Sequence, residues 1–185
     1  TPYVETSLRA ERRSMDRAEQ DDRVRRLTNE GARLLEQGKA QEAAPLFQQA
    51  LEMEPQYVPA LINLGGAFVM SGQHREAIAP LEAAREEEPD NPMIWINLGA
   101  AYLGNPVVAT PEQQMRAIGA FERALELDAT APNVHYNLGL IFVDRGDDDL
   151  AVAAFRQALE VNPLDHDART WLRKLGQEEQ GGGNG

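Results

Sequence analysis

Three histidines, a cluster of aspartates and a run of glutamates are the residues of this chain best equipped for chemistry. Imidazoles serve as general bases or metal ligands when they converge on one face. Here they do not: His74 falls in a turn between two expected helices, His135 takes a packing position, and His166 opens the terminal helix. Asp144, Asp147, Asp148 and Asp149 hint at calcium, but no loop Gly followed by a bidentate Glu stands at the spacing that ion needs. An acidic helix N-terminus, favoured by the macrodipole, accounts for them better. Glu86, Glu87, Glu88 and Asp90 lie near a helix C-terminus, either as a solvated edge or as a secondary contact for a basic partner. No Ser–His–Asp set, phosphate loop or dinucleotide fingerprint is visible, and there is no Cys to supply a thiolate. The chain is therefore read as no enzyme, with no cofactor and no metal.

The residue that recurs at a fixed place is asparagine, and its place is set by a repeat. Gly31, Gly65, Gly99 and Gly139 stand near the start of four units, and Gly38, Gly72 and Gly146 follow seven residues later in three of them. Each unit then carries Ala (43, 77, 117, 151), a large apolar residue (Phe47, Leu81, Phe121, Phe155) and a second Ala (50, 84, 124, 158). Pro55, Pro89 and Pro163 close three units. The units span 24–57, 58–91, 92–131 and 132–165; three have 34 residues and the third has 40, which marks a six-residue insert. A period of this size indicates stacked supersecondary units. Within each, two apolar-periodic segments such as 59–70 and 75–87 read as helices separated by a Gly suited to the left-handed helix end. The closing Pro ends the second helix, and one hairpin buries its apolar face only against its neighbours.

The cassette resembles the tetratricopeptide repeat. Trp95, Leu98, Gly99, Tyr102, Ala117, Phe121 and Ala124 meet the family pattern, with Ala129 where its Pro is usual. The first unit is the loosest copy, with Leu27, Glu30 and Leu34 at the Trp, Leu and Tyr positions. The resemblance covers 24–165 plus a capping helix at about 166–179. It implies an all-α fold, a right-handed superhelical solenoid of antiparallel helix pairs.

On a 3.6-residue helix the fourth, seventh, eighth and eleventh positions of each unit share one side, which holds the expected packing residues. Positions two, five, six, nine, twelve and thirteen share the other, which in this family lines a concave groove. Every unit places Asn at its sixth position: Asn29, Asn63, Asn97 and Asn137. An amide both donates and accepts, so such a ladder would pair with the backbone of an extended peptide, as in related superhelical repeat proteins. The alternative is that each Asn caps or braces the next repeat. Asn is a poor residue for a helix interior, which favours a ligand role.

Ile62, Val69, Met93, Ile96, Leu103, Tyr136, Leu140 and Val143 would leave an apolar strip between the rungs, unless the lead-in or the 104–110 loop covers it. The family's carboxylate clamp needs cations beside such Asn residues, and those places hold Thr28, Ile62, Met93 and Ile96; Arg25 is the sole cation on this face. The clamp is not expected. In the insert, Gly104, Asn105 and Pro106 end a helix, Val107 and Val108 are apolar, and Thr110 with Gln113 forms a capping box. It is a tolerated loop extension or a lip that lengthens one edge of the groove.

A net charge of −12, from 30 acidic and 18 basic residues, and the lack of a basic track argue against nucleic acid and for a neutral to basic, partly apolar protein partner. No run of about 18 apolar residues is present, so no membrane insertion by this chain is expected. Residues 1–23, rich in both charges with few apolar positions beyond Val4, Leu8 and Met15, read as a partly helical, solvated lead-in, and 180–185 as a flexible Gly-rich tail. The expectation is a cytoplasmic protein, or a soluble domain of an anchored or exported one, since Thr1 leaves the upstream segment open. Its function is read as a noncatalytic interaction module that holds an extended peptide in its groove. The alternative is a homo-oligomer whose groove is filled by its own or a neighbour's N-terminal segment.

Overall fold

The computed structural model describes the backbone of residues 2–176 and the side chains from 14 onward; the Gly-rich tail and the last residues of the expected capping helix lie outside the described residues. The chain forms two compact units, residues 1–89 and 90–185. The first holds α1 (Pro2–Glu36), α2 (Ala40–Met53), α3 (Val58–Met70) and α4 (His74–Glu87). The second holds α5 (Pro92–Leu103), a 3₁₀ turn (Pro106–Val108), α6 (Pro111–Leu127), α7 (Val134–Arg145), α8 (Asp148–Val161) and α9 (His166–Lys174). Among the described residues there is no strand, and the fold class is all-α, built from antiparallel helix pairs as the period predicts. Within the first unit α1 pairs with α2 and α3 with α4, and α3 also touches α1 and α2. Within the second, α5 pairs with α6 and α7 with α8; α7 leans on α6 and the 3₁₀ turn, and α8 on α9.

Each hairpin is locked where its helices cross. A Cβ built on Gly31 would lie 2.6 Å from the Phe47 ring, and one on Gly139 the same distance from Phe155. Gly65 meets Leu81 and Gly99 meets Phe121 just as closely. All four large partners are fully buried, so Gly is required for close approach and not for its dihedral freedom. The turn glycines do the opposite task. Gly38, Gly72 and Gly146 have φ of 74, 76 and 76° with open space around them. They let the following residue bond back across the helix end, as Lys39 N–H does to the Leu34 carbonyl at 2.9 Å.

The third repeat lacks its closing Pro, and a side chain replaces it. The Asp128 carboxylate accepts from the Thr130 amide at 2.9 Å and from its hydroxyl at 2.7 Å, which turns the chain after α6. Those two bonds hold the Asp128 carboxyl below its ordinary range.

Several expectations change. The lead-in does not stop near residue 23: α1 runs unbroken through Pro2–Glu36 because no Gly or Pro stands between Tyr3 and Glu30 to end it. His74 is the first residue of α4 and not part of the turn. The buried stripe is wider than four positions. The third position (Ala60, Ile94, Val134) and the tenth (Ala67, Ala101, Ile141) are buried as well, while Trp95, His135, Phe68 and Phe142 at the fourth and eleventh are half-buried. A helix packed on more than one neighbour, as α3 and α7 are, buries a broader face than one facing its hairpin partner alone. In α1 Val24 and Thr28 are buried along with the expected Gly31, and Glu30 is exposed.

Candidate protein-binding face

The asparagines sit on the first helix of each pair, each two residues before the crossing Gly and so turned well away from it. Asn29 is exposed, and Asn63, Asn97 and Asn137 are half-buried. Among the described residues none of the four amides forms a side-chain hydrogen bond within the protein, and none of their atoms is buried without a partner. Each amide therefore keeps its donor and acceptor capacity for water or a ligand. No bond shows them capping or bracing another helix.

The flanking residues divide. In the first unit Ile62 and Val69 are half-buried and Met70 is 57% exposed. In the second unit Met93 is 46% exposed and Ile96 is half-buried. Leu103 is a correction: at 3% exposure it faces no solvent. It is the last residue of α5, where the chain turns at Gly104 (φ 63°) into the insert, and it is shielded there. Thr28, placed on the same face by spacing, is likewise buried, its hydroxyl donating to the Val24 carbonyl at 2.9 Å.

Tyr136, Leu140 and Val143 also make contacts inside the protein. They pack on the cluster that joins α8 to α9, with Tyr136 5.8 Å from the Phe155 ring and Phe155 stacked on Trp171 at 5.9 Å and 1° between planes. Burial pushes the Tyr136 phenol up, opposed by its hydrogen bond with Trp171, while Asp167 and Asp165 add to the upward push. All three remain half-buried, as Ile62 and Ile96 are. Asp144 is also corrected. It lies in the last turn of α7, not at the start of α8, and accepts from the buried Gln114 amide at 2.6 Å. Asp147, Asp148 and Asp149 do stand at the N-terminus of α8.

The lead-in does not fold back over this face in its described part. Residues 14–23 are exposed and continue α1, and Gln20 donates to the Met53 carbonyl at 2.7 Å. This leaves a hollow of about 730 Å³ between α1 and the turn after α2, lined by Arg17, Gln20, Arg25, Glu54 and Tyr57 among others. Sequence reasoning missed it. The absence of a helix breaker before Gly31 was the available signal. The 3₁₀ turn of the insert rests on α7, with Val107 80% and Val108 73% exposed. Among the described residues no group of His, Asp and Glu is arranged to hold a metal, and no helix is long and apolar enough to cross a membrane.

Helix pairs locked by a Gly on a large apolar residue, with a left-handed turn between them and a recurring period, define a helical repeat protein. The profile of the tetratricopeptide repeat matches residues 34–102 and again 132–164, and the chain belongs to that family. No curated protein sequence matches it. Among solved structures it is similar to TTC0263, a thermophilic TPR protein of Thermus thermophilus, with a TM-score of 0.69, 23% identity, and coverage of 82% of this chain and 80% of that one. MamA 41-end from Desulfovibrio magneticus RS-1 superposes with a TM-score of 0.64 at 23% identity, over 88% of this chain and 96% of that one. The MamA RS-1 ArsTM double mutant gives 0.63 at 26% identity, over 77% of each chain. Family membership supports a protein-interaction scaffold as the general role.

Proposed function

We propose that the chain is a noncatalytic module that binds an extended, partly apolar peptide segment of another protein along the first helices of its repeats. On the first unit Asn63 pairs with a peptide backbone and Ile62 receives a side chain; on the second unit Asn97 and Asn137 pair with backbone, and Met93 and Ile96 receive side chains. The observation that carries this reading is the state of the amides: half-buried, mid-helix and without a partner inside the protein. An Asn interior to a helix is costly by propensity, and a structural brace would show a bond. Because an amide pairs with any backbone, the binding tolerates varied sequences with apolar anchors.

The test is calorimetry with a peptide selected on the full chain from a random display library. Changing Asn63 and Asn97 together to Ala should weaken binding by about 1 kcal/mol or more per lost pair while the helical circular dichroism holds. Unchanged affinity would remove the amides from the site. The reading in which the chain's own N-terminal segment fills the face is not favoured, because α1 continues outward as one helix. A neighbouring copy in that role would appear as a dimer in light scattering that is lost on deleting residues 1–22.

A further inference from the structure

We propose that Val107 and Val108, held out on the 3₁₀ turn just before the acidic first turn of α6, form a docking knob for a partner segment that is both apolar and basic. It is a separate surface from the asparagine positions and does not depend on them.

The knob is built rather than slack. The Asn105 side chain accepts from the Val107 amide at 3.0 Å, and on the far side of the valines Thr110 and Gln113 close a capping box at 2.9 and 3.2 Å. One turn later the buried Gln114 amide ties the start of α6 to the end of α7 through Asp144. The turn itself packs against α7. A loop extension that is merely tolerated has no need of two valines, and a fixed loop with apolar residues 80% and 73% exposed keeps its hydration cost until something covers them.

The charges nearby select the occupant. Glu112 in the first turn of α6 and Asp148 and Asp149 in the first turn of α8 are exposed and, among the described residues, engage no cation. The cations of the same region are occupied: Arg145 lies 3.4 Å from Asp147, and Arg116 lies 4.0 Å above the Tyr102 ring. The Gln114–Asp144 bond joins the start of α6, next to the valines, to the end of α7, after which Asp148 and Asp149 open α8, and apolar tips in an acidic region fit a segment with alternating apolar and basic residues. A second copy of this chain, at −12, would bring like charge to that border.

Fluorescence anisotropy on the full chain tests this with two short synthetic peptides, one alternating leucine with lysine and the other leucine with glutamate. The lysine peptide should bind and the glutamate peptide should not. Val107→Ser with Val108→Ser should weaken the lysine peptide by about tenfold or more, with no loss of helicity because both side chains are exposed. Glu112→Gln with Asp148→Asn and Asp149→Asn should weaken it and flatten its salt dependence. Both peptides are measured on the full chain carrying Asn63→Ala, Asn97→Ala and Asn137→Ala, so that the asparagine face takes no part in the binding that is read. Binding of the lysine peptide that survives the serine changes, equal binding of the glutamate peptide, or no binding at all would each overturn the knob. A dimer dissolved by the serine changes would replace the basic partner with a second copy.

Discussion

The hairpins α1/α2 and α7/α8 are copies of one design that end differently. Both close on the same lock, Gly31 under Phe47 and Gly139 under Phe155. Around Phe47 the core is completed by Leu64 and Ala67 of α3, the next helix in sequence, while α1 runs out beyond its pair with residues 14–23 exposed. Around Phe155 the core is completed by α9, whose Trp171 stacks on the ring while Tyr136 leans on it from α7. The corresponding hollows differ as well. About 730 Å³ opens beside Met53 and Tyr57, and about 80 Å³ beside Val161 and Asp165, at the matching repeat positions. The same cassette therefore supplies the hairpin and leaves its closure to whatever follows or precedes it.

The largest expected break in this comparison is at the rings. Phe47→Ala and Phe155→Ala should each cost about 3–5 kcal/mol in urea unfolding, and Phe155→Ala should exceed its counterpart by roughly 0.5–1.5 kcal/mol for the two aromatic contacts only it makes. Equal losses would mean that the α9 stack adds nothing. Next come the glycines. Gly31→Ala and Gly139→Ala should each cost about 1–3 kcal/mol, since a methyl would need the buried ring to move. If either variant were as stable as the parent, the lock at that hairpin would be looser than its 2.6 Å approach requires. The smallest effects lie at the two ends. Asp165, which caps α9 by accepting from the Asp167 and Ala168 amides, should lose about 0.5–2 kcal/mol as Asp165→Ala. Gln20→Ala removes one exposed bond to the Met53 carbonyl and should cost at most about 0.5 kcal/mol. The reverse ranking would assign the firmer closure to α1.

Much of this was legible in the residues, and the misses have physical causes. Glycines at two spacings disclosed both the crossing and the turn, because close approach and positive φ each exclude most other side chains. The capping box at Thr110 and Gln113 was readable because it is local. The full length of α1 was obscured by its charge, since a helix rich in Arg, Glu and Asp shows little apolar period. Leu103 and Thr28 were misplaced on the open side because a helical wheel counts turns of one helix and cannot see a turn or a hydroxyl bond beside it. The open state of the asparagine amides, likewise, is a statement about neighbours that spacing alone does not contain.

The Gly–ring crossing also behaves as a single two-letter word. Three hairpins spell it with Phe and the α3/α4 hairpin spells it with Leu, each opposite a bare glycine. The small letter is fixed while the large one has synonyms. Enlarging the glycine would demand a shorter reply from its partner, so the two positions would have to change as a pair or not at all.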